Sequence, residues 1–327
     1  MGPDKRLGSK DRILTESIKY AMRHWLIPKL GKEKREEYEK QIDEASIIPK
    51  VAFKGLYNLL SNHPRGGLEA VLAVTNWGIR YYNEQKYGGD RYMIYTQKDN
   101  IVPFRPEEDT MYAYMLAQLA EVGNALADTV STEVMSDITA GFIRMNELGS
   151  EAFRQYPTVM PRFLSHGRLT LRVVQELDKP YNCCPSLHIA YSLYLYNVCK
   201  EFLKTSKVKE SFRHTTECMF NSVLYTKQHS MMDIAFGMLC AKKVFEEEFC
   251  GFDDMRCEFA KLKKENPSID YDNINSIYEE ITDIGNDRLS AALGAYLIRH
   301  LHPRINAESA SNKYFDTENK SIKEIIF

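Results

Sequence analysis

The chain has 327 residues, with 43 Lys and Arg against 45 Asp and Glu and a formal net charge of -2. This balance leaves no basic excess for binding a phosphate backbone, so nucleic acid is not an expected partner. A hydrophobic fraction of 44% and a charged fraction of 27% are typical of a folded globular protein and exclude wholesale disorder.

The seven cysteines stand at irregular spacing, and the sequence contains no Cys-x-x-Cys pair. This pattern favours neither a zinc site nor a disulfide framework, so we expect reduced thiols and a cytoplasmic location. The most apolar stretch, residues 180–199, is interrupted by Asn182, Ser186 and His188. The sequence therefore predicts no integral membrane segment, and it leaves peripheral contact with a membrane open.

In chain order, helical periodicity covers most of the sequence. The predicted helices are 10–26, 32–60 with an interruption near Pro49, 66–85, 111–130, 132–152, 169–177, 186–203, 211–249, 255–264 and 274–301. Residues 91–96 alternate like a strand, but one strand alone cannot make a sheet.

The predicted fold class is thus all-α, a helical bundle in a single domain of residues 1–327. Within it we expect a catalytic core at 99–250, an N-terminal helical extension at 1–98 and a C-terminal helical extension at 251–327.

His229 and Asp233 stand four residues apart in a stretch that we predict to be helical, so both should lie on one face. A carboxylate beside one imidazole nitrogen fixes the tautomer and makes the ring a better base or nucleophile. The alternative is a surface pair of little energetic weight, because this spacing is common on helices.

Pro185 and Ser186 precede an apolar run and predict a helix start, with His188 in the first turn. Backbone amides at such a start attract anions, and phosphate is a natural guest. Arg162 follows a stiff, turn-rich segment, Tyr156–Pro161, and its guanidinium suits bidentate phosphate binding. Taken alone, each of these residues would more simply be structural: a cap, a partly buried histidine and a solvated arginine.

The stretches Asp178–Ala190 and Thr226–Gly237 resemble the second and third motifs of the type 2 phosphatidic acid phosphatase superfamily, which also includes the vanadium haloperoxidases. Both are most similar to the branch of inositol phosphorylceramide synthase-like membrane proteins, which has Pro-Ser-Leu-His where others have Pro-Ser-Gly-His. Asp99–Pro106 resembles the opening segment of that branch, and Tyr156–Arg162 resembles its first motif.

The resemblance implies a metal-independent phosphatase or phosphotransferase that acts on a phosphate or diphosphate ester, with a lipid or prenyl ester as one option. It implies that His229 attacks phosphorus, Asp233 orients it and His188 protonates the leaving oxygen. Arg162 and the amides around Ser186 would hold the phosphoryl oxygens, with Lys227 as a further cation. Lys98 and Arg105 also match the general first motif and are reserve candidates.

Three other functions stay open. A vanadium-dependent haloperoxidase would hold vanadate at the same site, whereas the phosphatase needs no cofactor. A cyclase or synthase would use the diphosphate pocket to ionise a prenyl substrate. A non-catalytic relative is suggested by Val223, which follows Ser222 where the family's third motif has arginine.

Overall fold

The computed structural model describes residues 4–30, 34–84, 89–163, 167–284, 288–306 and 314–315, without the side chains of residues 4–10, Arg162, Tyr314 and Phe315. Nine helices precede residue 156: α1 (Asp4–Ala21), α2 (Ile27–Leu30), α3 (Arg35–Ala45), α4 (Ile47–Asn62), α5 (Pro64–Glu84), α6 (Gln97–Ile101), α7 (Asp109–Ala113), α8 (Met115–Ala127) and α9 (Thr132–Gln155). A π-helical turn, Met22–Leu26, joins α1 to α2.

Seven helices follow: α10 (Leu169–Leu177), α11 (Leu187–Phe202), α12 (Ser206–Tyr225), α13 (Met231–Glu248), α14 (Phe259–Glu265), α15 (Tyr271–Asp283) and α16 (Leu289–Arg299). The all-α prediction is confirmed. Four predicted helices are each divided in two: 32–60 at Ser46, 111–130 at Tyr114, 211–249 at 226–230 and 274–301 between Asp283 and Leu289. Pro49 itself lies inside the first turn of α4, where its missing amide hydrogen costs no helical bond.

Five short strands accompany the helices: β1 (Asp90–Met93), β2 (Thr158–Val159), β3 (Arg162–Phe163), β4 (Arg304–Asn306) and β5 (Tyr314–Phe315). The expectation that the strand near residue 91 has no partners is wrong. β1 is the central strand of a three-stranded sheet, parallel to β2 and antiparallel to β4. Its partners are far away in sequence, which is why local pattern could not reveal them.

The core is built around α11 and α13. Every residue from Ile189 to Cys199 of α11 is buried, and α13 is buried from Met231 to Ala241. Helices with apolar residues all round belong at the centre of a domain, where α8, α9, α12, α15 and α16 surround them. A smaller cluster, which includes Ile27, Tyr38, Ile42 and Leu169, lies between the N-terminal helices and α10.

Within the described part of the chain, no helix is both long and apolar enough to cross a bilayer.

Candidate active site

His229 lies in the turn between α12 and α13, and not within one long helix as the sequence predicted. Lys227 adopts a positive φ of 54°, which ends α12. Ser230 then caps α13: its hydroxyl accepts from the amide of Asp233 at 3.3 Å, and the Asp233 carboxylate accepts from the Ser230 amide at 2.9 Å. This reciprocal capping box starts a new helix at Met231 and explains the break.

The predicted pairing of His229 with Asp233 is present despite the break. His229 Nδ1 lies 3.2 Å from Asp233 Oδ2, and both residues are buried. The opposite ring nitrogen, Nε2, is buried and has no hydrogen-bond partner among the described residues. A carboxylate at Nδ1 favours the tautomer with the proton on that nitrogen, so the lone pair lies on Nε2.

His188 lies beside His229, as the order of the motifs implied. Ser186 is the N-cap of α11, where its hydroxyl accepts from the amide of Ile189 at 3.4 Å, so His188 occupies the first turn. The His188 and His229 ring centroids are 5.5 Å apart. Burial, together with the neighbouring His229, lowers the pKa of His188 well below its ordinary value. The free protein therefore holds His188 neutral at physiological pH.

Ser186 joins the two motifs through the backbone. Its amide donates to the carbonyl of Asp233 at 3.0 Å. Gly237, one turn later, lets the helices approach, since a Cβ there would lie 2.6 Å from the Ser186 carbonyl oxygen. We predicted that Ser186 and the amides around it bind phosphate. The Ser186 amide is used by the fold, so an anion at this helix start would meet the Ser186 hydroxyl and the neighbouring amides.

Tyr112 and Asp178 also belong to the site, although no role was predicted for either. The Tyr112 ring stacks on His188 at a centroid distance of 4.0 Å and lies 6.3 Å from the His229 ring. Its hydroxyl donates to Asp178 Oδ2 at 2.9 Å, and the Tyr81 hydroxyl donates to Oδ1. Burial raises the pKa of Asp178 to about 7, although the charge of His229 opposes this.

The only sequence signal for Asp178 was its position at the start of the stretch that resembles the family's second motif. Tyr112 had no such signal. Tyr112 lies on the short helix α7, which is held to α10 by buried Asp109. The Asp109 carboxylate accepts from Arg168 at 2.8 Å and from the Leu171 amide at 3.0 Å.

The predicted first motif lies against the segment that leads to Ser186. The Asn182 amide donates to the carbonyl of Thr158 at 2.9 Å, and the Cys184 amide donates to the Thr158 hydroxyl at 3.2 Å. Arg162 follows in β3, which pairs with β5. The backbone thus brings the Arg162 strand into the same region, while its side chain lies outside the described residues.

Lys227, which we predicted to bind phosphate, is 3% exposed and is used by the fold. Its ammonium group donates to the carbonyl of Asp99 at 2.5 Å and lies over the rings of Tyr95 and Phe163, at 5.4 and 5.8 Å. Burial lowers the pKa of Lys227 to about 8. The Asp99 carboxylate in turn accepts from the Met231 amide at 2.8 Å and so ties α6 to the start of α13.

The two reserve cations lie elsewhere. Lys98 is exposed and donates to Asn273 of α15 at 2.6 Å. Arg105 is also exposed, and its guanidinium stacks on the Tyr225 ring at 4.2 Å. Val223, in the position where the family has arginine, is fully buried, and its carbonyl accepts from the amides of Gln228 and His229. This position therefore shapes the His229 turn and supplies no charge.

The assembled site consists of an oriented histidine, a second neutral histidine and a carboxyl group that titrates near neutrality. Such a set can supply a nucleophile and proton carriers. Among the described residues, no three His, Cys, Asp or Glu side chains form a group that could hold a metal ion. No protein family, curated protein or solved structure matches this chain.

Proposed function

We propose that the protein is a metal-independent phosphatase or phosphotransferase that acts on a phosphate or diphosphate ester through a phosphohistidine on His229. One observation carries the proposal. His229 is held at Nδ1 by Asp233, its Nε2 has no hydrogen-bond partner in the described part of the chain, and the ring of His188 lies 5.5 Å away. A nucleophilic histidine with an adjacent proton carrier needs this arrangement. The resemblance of the two histidine motifs to the phosphatidic acid phosphatase superfamily supports the same chemistry.

In the proposed first step, the Nε2 lone pair of His229 forms a bond to phosphorus while the bond from phosphorus to the leaving oxygen breaks. Binding of the anionic ester raises the pKa of His188, because a nearby negative charge favours the imidazolium. His188 then gives its proton to the leaving oxygen. Asp233 accepts the hydrogen bond from the ring as His229 becomes positively charged.

In the second step, water attacks phosphorus and gives a proton to His188, while the bond from phosphorus to Nε2 breaks and its electron pair returns to Nε2. Inorganic phosphate then leaves. An alcohol in place of water would give a new phosphate ester by the same path. Arg162 is the proposed cation for the phosphoryl oxygens, because the Lys227 ammonium group is already held by the Asp99 carbonyl. The raised pKa of Asp178 suits this role of the site, because a neutral carboxyl group does not repel an anion.

Phosphate release from a panel of lipid, prenyl and soluble phosphate esters tests the proposal. We expect release that survives EDTA, stops with orthovanadate and falls by about a thousandfold or more in His229→Ala. His63→Ala is the matched control, because His63 also lies 3.0 Å from a carboxylate, Asp128, but on the surface. Acid-labile phosphate on the protein, seen by mass spectrometry in wild type and not in His229→Ala, would identify the intermediate.

Equal release by wild type and His229→Ala would contradict the mechanism. A folded wild type that releases phosphate from no ester would contradict the function. In that case halide oxidation with added vanadate, and cyclic products from a prenyl diphosphate, would test the haloperoxidase and the synthase. Failure of both would leave the non-catalytic relative.

A further inference from the structure

The outer face of α5 is apolar along the whole helix. Leu68, Leu72, Ile79 and Tyr82 follow one another at spacings of four, seven and three residues, so they lie on one side. Each is 56–63% exposed. Thr75, which is exposed on the same side of the helix, carries no charge. An ordinary surface helix exposes polar side chains to water, whereas α5 exposes apolar ones.

The neighbouring helix α4 continues the same apolar surface. Phe53, Tyr57 and Leu60 lie within one arc of that helix and are 57, 61 and 39% exposed. Of the seventeen large apolar side chains that are exposed in the described part of the chain, nine lie on α4 and α5. Such a concentration on two adjacent helices marks an interaction surface, since scattered exposed apolar residues would need no explanation.

A cavity of about 490 Å³ lies directly behind this surface, between α4, α5, α8, α9 and α11. Its lining is almost entirely apolar. Phe53, Val74 and Leu116 line the cavity and are also 43–57% exposed, so the cavity reaches the surface where α4, α5 and α8 meet. An open apolar cavity suits the end of a flexible hydrocarbon chain.

Charge separates this end of the sequence from the rest. Residues 1–84 contain 15 Lys and Arg against 11 Asp and Glu, while the remaining residues contain 28 against 34. Helices α4 and α5, which carry the apolar surface, contain four Lys and Arg against two Glu and are net positive as well, although Lys54, Arg65 and Arg80 each form an ion pair. A positive segment is attracted to anionic lipid headgroups, which adds to the burial of apolar side chains in a bilayer interface.

We propose that the outer faces of α4 and α5 dock the protein on an anionic lipid bilayer, with both helices in the interface and the cavity mouth turned to the hydrocarbon. This inference does not rest on the phosphatase chemistry. It commits to a lipid surface because the apolar faces, the cavity that opens beside them and the positive charge occur together.

Binding of the full-length protein to vesicles tests the proposal. Vesicles of phosphatidylcholine alone would be compared with vesicles that also contain phosphatidylserine, by co-sedimentation. We expect binding to the anionic vesicles that weakens as salt is raised. The double variant Leu72→Gln/Ile79→Gln should lower the partition coefficient by about tenfold or more, because both side chains leave the buried interface.

Leu177→Gln/Ile298→Gln is the matched control. Both side chains are as exposed as those on α5, at 72 and 65%, but they lie on α10 and α16. Its partition coefficient should stay within about twofold of wild type.

Wild type that remains in the supernatant at every lipid concentration would overturn the proposal. So would equal loss of binding in the two double variants, which circular dichroism must first show to be folded. Another result would be a protein that binds no vesicles and forms a dimer that the substitutions Leu72→Gln/Ile79→Gln dissociate. That result would assign the surface to a second copy of the chain.

Discussion

Replacing Asp178 by Asn should alter how the stability of the protein depends on pH. The Asp178 carboxyl group is enclosed by the hydroxyls of Tyr81 and Tyr112, and burial raises its pKa from 3.8 to about 7. Between these two values the folded state binds the proton and the unfolded state has released it. Stability is therefore lost as pH rises through this window.

The full shift corresponds to about 4 kcal/mol, at about 1.4 kcal/mol for each pKa unit. Part of this stability has already been lost at pH 5, so the free energy of unfolding falls by about 3 kcal/mol more between about pH 5 and about pH 8.5. Asparagine does not ionise. The free energy of unfolding of Asp178→Asn, relative to wild type, should thus improve by about 3 kcal/mol across that range, as measured by urea denaturation at each pH.

Asp253→Asn is the control, because the pKa of Asp253 is shifted in the opposite direction. Hydrogen bonds from Lys200, the Met255 amide and Tyr196 hold the pKa of Asp253 below its ordinary value despite burial. Asp253 is therefore ionised throughout this pH range, and the cost of its replacement should not change with pH. A difference between Asp178→Asn and wild type that is also independent of pH would refute the raised pKa and place a permanent carboxylate beside His229.

Three further substitutions test how the site is held together, each by urea denaturation. Gly237→Ala should destabilise the protein by about 1–3 kcal/mol, since its Cβ would meet the Ser186 carbonyl, whereas Gly78→Ala on open α5 should be neutral or stabilising by up to about 1 kcal/mol; equal effects would contradict the close approach. Ser230→Ala should cost about 1 kcal/mol by removing the α13 cap, and no cost would argue against the capping box. Asp109→Ala should cost about 1–3 kcal/mol because it leaves the buried Leu171 amide without its acceptor and removes one of the two carboxylates beside Arg168, and no measurable cost would show that Asp109 does not hold α7.

The local features of the site could be predicted from sequence. Proline and serine before an apolar run placed the start of α11 correctly, with Ser186 as its cap and His188 in its first turn. The helix at 169–177 has the predicted ends. These features depend on residues within one or two turns, where capping and periodicity act directly.

The wrong prediction that His229 lies within a helix arose because the same residues fit two patterns. His229 and Asp233 fit one face of a helix, and Ser230 and Asp233 fit a capping box that begins a helix after His229. The capping box prevails, since Lys227 turns the chain just before it. The interaction of His229 with Asp233 survives because the first turn of a helix still brings the two side chains together.

The remaining members of the site depend on distant contacts. Tyr112 reaches His188 and Asp178 from a different helix, and Asp99 reaches the Met231 amide across more than a hundred residues. Lys227 was predicted to bind phosphate because the resemblance implied it, yet neighbouring rings and a carbonyl hold it. No local pattern encodes which polar groups the tertiary fold has already used.

The central position of β1 has a consequence for how the chain folds as it is synthesised. Asp90 pairs with Asn306, more than two hundred residues later, and His302 lies 3.0 Å from the Met93 carbonyl oxygen. Contacts of such sequence separation form slowly, because a long loop must close before they add any stability. On the ribosome, the three-stranded sheet can be completed only after residue 306 has emerged, so a nascent chain that stalls before residue 300 would expose the edge of β1 to other nascent chains.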